Sequence, residues 1–195
     1  QAASIGTSAV PFLTLKTSAK AEAMGGAVTA GGDDLSSLAV NPATLSRLKF
    51  SEALFTQALF FENVKYSYMA YAQPTKWGVP TFEFMNLSYG DFDTTNADRE
   101  KTGTQSPKDS YYGAGWSMNT KRWLSERIDL GGSIRYIKSD LVIRQASALS
   151  FNFGATYRPA LEGVSFGVAV NNMGGALKYN NSSFSQPRTL RVGAS

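Results

Sequence analysis

The sequence predicts an all-β chain: an antiparallel up-and-down transmembrane β-barrel wall, preceded by a lumenal plug that is neither helix nor strand. Three observations lead there. Twelve phenylalanines, nine tyrosines and three tryptophans among 195 residues favour strands over helices. Successive runs alternate apolar and polar residues with the period of two that a sheet with one greasy face requires. The polar members of those runs are mostly glycine, serine and asparagine, where a solvated sheet face would carry lysine and glutamate.

The elements follow in chain order. Residues 1–47 form the first unit, and their stretch AEAMGGAVTAGGDDLSSLAVNPATL has neither a helical nor a strand period. Gly25, Gly26, Gly31 and Gly32 suit positive φ and close approach to a wall, and Asn41 before Pro42 favours an extended turn into the first strand. Residues 48–195 form the second unit, with about eight strands. The runs at 50–60 and 79–90 look extended but have mixed faces. In VKYSYMAYA, Val64, Tyr66, Tyr68, Ala70 and Ala72 make a loose apolar row.

The later runs are cleaner. YYGAGWSM sets Tyr112, Ala114, Trp116 and Met118 against Tyr111, Gly113, Gly115 and Ser117. IDLGGSIRY sets Ile128, Leu130, Ile134 and Tyr136 against Asp129, Gly131, Ser133 and Arg135. LSFNFGATY and GVSFGVAVNN repeat the pattern, with Asn152 and Asn171 on their polar faces, and TLRVGA places Arg191 opposite Leu190 and Val192. Short connections are expected near 73–78, 120–126 and 158–163, and long polar ones near 90–110, 138–147 and 172–188. That parity would put all short turns on one side of a membrane and all long loops on the other. A soluble β-sandwich with its apolar face turned inward is the alternative.

Composition removes several classes. The net charge of +4 is scattered, with no basic run to act as a nucleic-acid footprint. With no histidine and no cysteine, a Ser-His-Asp triad, an HExxH zinc helix, thiolate metal sites and disulfides are excluded, so no enzyme and no cofactor is expected. No apolar window is long enough for a transmembrane helix. DFDTTNAD offers Asp91, Asp93, Asn96 and Asp98 as hard oxygen ligands but lacks the closing glutamate of a calcium loop, and reads as a solvated outer loop.

A barrel of eight strands is filled by its own side chains, so a lumenal segment of this size requires more strands and the barrel part is expected to be incomplete. Here the motifs become specific. Pro11–Leu13, the Lys20–Ala27 core with Met24, Gly25 and Gly26, the acidic Asp33 and Asp34, and the Asn41-Pro42-Ala43 step resemble the N-terminal region of the FadL/PorV/PorQ superfamily of bacterial outer-membrane barrels. The likeness continues through FGATYRP at 153–159 and FGVAVNNMG at 166–174 and is nearest to the PorV-like branch. Lys20 stands where arginine is common, and Leu38-Ala39-Val40 where aromatic residues are usual.

The resemblance implies a barrel of about fourteen strands with the N-terminal region as a hatch. It implies outer-membrane lipid as the surroundings and, as partners, either type IX secretion subunits and exported proteins or, in FadL-like members, a hydrophobic small ligand. A soluble structural or adhesive module remains the third reading. If the acidic pair is buried in a lumen, it needs basic or amide partners, for which Arg135 and Arg191 on polar faces are candidates, or else it caps a short helix in DLSSLAV. Asp129, Arg135, Asn152, Asn171 and Arg191 are the expected lumen-facing polar residues.

Overall fold

The computed structural model describes residues 9–32, 34–97, 99–121, 124–141, 144–179 and 182–195. Helical structure among these comes in short pieces. Four 3-10 turns span Pro11–Thr14, Leu35–Ser37, Pro42–Arg47 and Phe61–Asn63, and one helix, α1, spans Ala19–Ala23. The Ser18 side chain caps α1 by accepting from Ala21 N at 3.0 Å. Past its end, Gly25 and Gly26 sit at φ 60° and 80°, a left-handed conformation that stops the helix.

The strands are β1 (Glu52–Leu59), β2 (Lys65–Ala72), β3 (Val79–Ser88), β4 (Phe92–Thr95), β5 (Lys101–Gln105), β6 (Lys108–Asn119), β7 (Ile128–Asp140), β8 (Gln145–Tyr157), β9 (Phe166–Gly174), β10 (Leu177–Tyr179), β11 (Ser182–Phe184) and β12 (Thr189–Ala194). Eight of them form one sheet in the order β1-β2-β3-β6-β7-β8-β9-β12, each pair antiparallel. The sheet is open, with β1 and β12 as its two edges. The pairs β4-β5 and β10-β11 are separate hairpins in the β3–β6 and β9–β12 connections. Between Phe151 and Phe153 the β8-β9 register slips, and the Asn172 backbone N, from a residue at φ 59°, donates to Asn152 Oδ1 at 2.9 Å.

The two faces of the sheet differ in character. One face holds the N-terminal segment and carries Ser117, Asp129, Ser133, Arg135, Asn152 and Thr156, all buried. The other is bare and apolar: Phe55, Phe82, Tyr112, Trp116, Ile134, Phe153, Phe166 and Leu190 are exposed, and Val192 is 77% exposed. In water each such side chain would forgo roughly 1.5–3 kcal/mol of burial. The apolar core lies between the segment and the β2-β3 side of the wall, where Phe12, Leu35, Leu38 and Leu45 pack with Tyr66, Tyr68, Met85, Leu87 and Tyr111.

Several expectations change. Tyr66, Tyr68, Ala70 and Ala72 do share a face, but it is the inner one, while Met69 and Tyr71 point outward. Tyr68 turns inward to donate its hydroxyl to the buried Glu83, and Tyr66 joins the apolar core. The stretch expected as a long loop at 138–147 is mostly strand, since β7 runs to Asp140 and β8 begins at Gln145. Loop lengths therefore do not alternate cleanly, although successive connections still fall at opposite ends of the sheet. The two other long connections contain the hairpins β4-β5, which is largely exposed, and β10-β11, whose Leu177 and Tyr179 turn into the apolar core.

Candidate functional site

The N-terminal segment lies on the inner face through contacts that depend on the smallness of the wall. At Asn41-Pro42, the Asn41 side chain accepts from Ala43 N at 3.0 Å and donates to Thr29 O at 2.7 Å and to Ala155 O on β8 at 3.3 Å. The wall answers with Ser117 Oγ donating to Pro42 O at 2.6 Å, Asn171 Nδ2 to Val40 O at 2.8 Å and Ser165 Oγ to Ala30 O at 3.0 Å. These bonds satisfy carbonyls of a coil that no ladder would pair. The glycines of the inner face supply the clearance. A Cβ on Gly131 would come within 2.5 Å of Pro42 C and Ala43 N, one on Gly154 would overlap Asn41 Oδ1, and one on Gly167 would overlap Thr29 O.

Higher on the same face is a buried charge pair. Arg135 Nε and Nη2 donate to Glu83 Oε1 and Oε2 at 2.7 and 3.0 Å, and both side chains are 2% exposed. Tyr68 and Tyr111 hydroxyls donate to the same Oε2 at 3.0 and 3.4 Å, and the guanidinium lies 4.7 Å from the centre of the Tyr111 ring. Phe12 stacks on that ring at 6.4 Å between centroids, so the Pro11-Phe12-Leu13 turn forms a lid over the pair. Such a pair holds together only when its donors and acceptors are filled, as these are.

At the end with turns 73–78, 120–127 and 158–165, Asp129 is fully buried and accepts from Arg47 Nε at 3.1 Å, Asn119 Nδ2 at 2.6 Å, Thr156 Oγ1 at 3.0 Å and Arg158 Nη1. At the β1 side, Lys20 pairs with Asp34, whose other oxygen caps the Leu35–Ser37 turn by accepting from Ser36 N at 2.9 Å. Partial burial works against ionisation of Asp34, but Lys20 and Ser36 outweigh it and hold the carboxyl below its ordinary value.

Six of the thirteen predicted site residues are brought together. Asn41, Pro42, Asp129, Arg135, Asn152 and Asn171 are all buried where segment and wall meet. Asp33 lies outside the described residues. Three expectations are corrected. Arg135 serves Glu83 rather than the acidic pair, and Asp34 takes Lys20 instead while also acting as a cap. Arg191 is half-buried near Gly26, and its Nε has no hydrogen bond. Gly25 faces open space, Gly26 and Gly32 crowd Lys16 and Ser37 of their own segment, and Gly31, beside Ser195, makes the expected close approach to the sheet. Met24 is exposed at the end of α1.

The oxygen cluster of the β3–β6 connection is used within its hairpin: Asp93 pairs with Lys101 at 2.7 Å, Asp91 accepts from Ser106 at 2.5 Å and Asn96 bonds Glu100. Asp98 lies outside the described residues. Glu83, Arg47 and Arg158 were missed by sequence reasoning. The signal for Glu83 was present as one acid between Phe82 and Phe84, matched by one central cation on β7. Compared with known proteins, the chain matches no family model and no curated protein.

Proposed function

We propose that this chain is wall and plug of a non-enzymatic outer-membrane β-barrel of the FadL/PorV/PorQ kind, working in the PorV-like manner as a type IX secretion-associated component that engages exported protein or partner subunits. The observation that carries the reading is the inverted sheet: a continuous apolar outer face across β1 to β12, and a polar, glycine-rich inner face already occupied by the chain's own leading residues. Lipid is the solvent that suits such a wall, since it welcomes the outer rows and leaves the buried polar groups to pair internally.

The end bearing the hairpins favours protein engagement over passage of a small ligand. Phe60, Phe61, Phe92, Leu141 and Phe184 are exposed there, a set of apolar side chains on turns and hairpins rather than on the wall. Beneath them Phe12 is buried on Tyr111, and the open cavity of about 330 Å³ beside its turn, lined in part by Val10, Pro11, Tyr89, Leu141 and Phe184, runs into this exposed apolar set. Passive transport of hydrophobic molecules is the second reading and requires the Pro11–Thr14 turn to lift.

The membrane part is tested with lipids brominated along their acyl chains. Trp116 on the outer face should be quenched strongly after reconstitution. A chain that stays monodisperse without detergent and whose Trp116 ignores the bromine is not a membrane wall. The secretion part is tested by changing Phe92 and Phe184 to serine in the source bacterium. Loss of an exported protein from the cell surface, with the barrel still present in the outer membrane, is expected; unchanged export removes that role.

A further inference from the structure

We propose that the rim at the 120–127 and 158–165 turns is a binding site for a phosphate group, held by Arg47, Arg127 and Arg158 above the buried carboxylate of Asp129. An open cavity of about 500 Å³ lies there, lined by Arg47, Asn119, Lys121, Glu126, Arg127 and Arg158 among others. Behind this lining is the buried Asp129, whose oxygens are taken up by Arg47, Asn119, Thr156 and Arg158. One carboxylate thus fixes two guanidiniums from remote parts of the chain beside each other.

The site carries more positive charge than its own structure uses. Among the lining residues Arg47, Lys121, Arg127 and Arg158 stand beside one acid, Glu126, with Asp129 buried behind them, and the Lys121–Glu126 pair is a well-exposed 3.4 Å contact of little strength. Each guanidinium has five N–H donors. Arg158 spends its side chain on Asp129 alone, Arg47 on Asp129 and on Glu126 O at 2.6 Å, and the Arg127 guanidinium has no hydrogen bond or ion pair among the described residues. The Arg47 and Arg158 side chains remain 42% and 25% exposed, so their spare donors can meet solvent. If the arginines were there only to neutralise Asp129, one would be enough.

The geometry selects the anion. Donors arrive from three elements: the Pro42–Arg47 turn, the β6–β7 connection and the chain just beyond β8. A planar carboxylate fills one guanidinium fork, whereas a tetrahedral phosphate presents oxygens to several at once. The phosphate has two possible sources, a free phosphoester or a phospholipid headgroup, and exposed Leu124 and Leu161 in the flanking turns are placed to meet acyl chains in the second case. Only the lipid source rests on the membrane reading; phosphate binding itself stands apart from it.

The test titrates the chain, held in an uncharged maltoside detergent, with glycerol phosphate and separately with monomeric dihexanoyl phosphatidylglycerol, at constant ionic strength, followed by calorimetry. Saturable binding is expected, weakened about tenfold or more by Arg127→Gln, a change that breaks no side-chain bond among the described residues. Arg158→Gln should weaken it as well, with circular dichroism reporting whether the wall survives. Tighter binding of the lipid assigns the site to a headgroup; tighter binding of glycerol phosphate assigns it to a free phosphoester. No saturable binding of either, or equal binding by wild type and Arg127→Gln, overturns the proposal. So does binding of a glutamate-rich peptide alone, which would make the rim a protein-docking surface.

Discussion

Gly131 and Gly132 are chain neighbours on opposite faces of β7, so a methyl group added to each tests directly whether the inner face is shaped around the N-terminal segment. Outward, a Cβ on Gly132 would find its nearest atom, Phe153 Cδ1, at 3.4 Å, ordinary contact, and Gly132→Ala should gain about 0.4–1 kcal/mol from a less flexible unfolded chain. Inward, Gly131→Ala would put Cβ 2.5 Å from Pro42 C and Ala43 N, which are backbone atoms and cannot swing aside. Regaining 3.4 Å requires the Pro42–Arg47 turn to retreat by about 0.9 Å. That retreat stretches the 2.6 Å bond from Ser117 Oγ to Pro42 O to about 3.5 Å. Overpacking of roughly 1–3 kcal/mol and a lost hydrogen bond of about 1 kcal/mol bring the cost to about 2–4 kcal/mol, borne by the segment rather than by the ladder. Amide hydrogen exchange separates the two: amides at 41–47 should open at least about thirtyfold more often in Gly131→Ala, with β7 amides unchanged. Equal exchange at 41–47 in the two variants, or β7 loosening in step with the segment, refutes the reasoning.

Other perturbations probe the remaining contacts. Glu83→Gln leaves Arg135 charged and buried without its acid and should cost about 3–5 kcal/mol in denaturant midpoint measurements, most of it recovered in a Glu83→Met, Arg135→Met double variant. The Asp34 carboxyl is held below its ordinary value in the folded chain, so its contribution is complete above the unfolded value and is lost as pH falls through the folded one. Pepsin cleavage within residues 9–47 should therefore rise from pH ~4 to pH ~2 more steeply in wild type than in Asp34→Asn; parallel slopes would remove Asp34 from the hold on the segment. Asp129→Asn sets Arg47 and Arg158 against each other without their acid and should destabilise the rim by about 2 kcal/mol, read as faster exchange in 119–129 and 156–158.

How much of this was legible depended on what each face must touch. Alternation located β6 to β9 and β12 and sorted their faces correctly, because over most of their length the outer rows are apolar and the inner rows small or polar, with Tyr111 and Ile137 as inner exceptions. It failed for β2 and β3, where the inner face meets the apolar half of the segment: Tyr66, Tyr68, Met85 and Leu87 are buried there while Met69 and Phe82 are exposed. With apolar residues on both faces, a period of two gives no direction. The β4-β5 hairpin was invisible because a strand in solvent needs no greasy row, and β10 because its buried pair, Leu177 and Tyr179, is too short a run to show a period. The seat of Asn41-Pro42 was readable as a turn, but the glycines that receive it are matched to it only in space. Asp129 could be read as an inner-face acid, yet nothing local links it to Arg47 and Arg158.

The bonds that seat the leading segment join residues far apart in order of manufacture: Asn41 meets Ala155, Ala30 meets Ser165 and Val40 meets Asn171, separations of 114, 135 and 131 positions. The part the ribosome makes earlier therefore finds its place only after most of these strands exist. Until then a string of carbonyls and leucines travels without its receptor, and any carrier escorting the nascent chain must shield its front while the back is still being written.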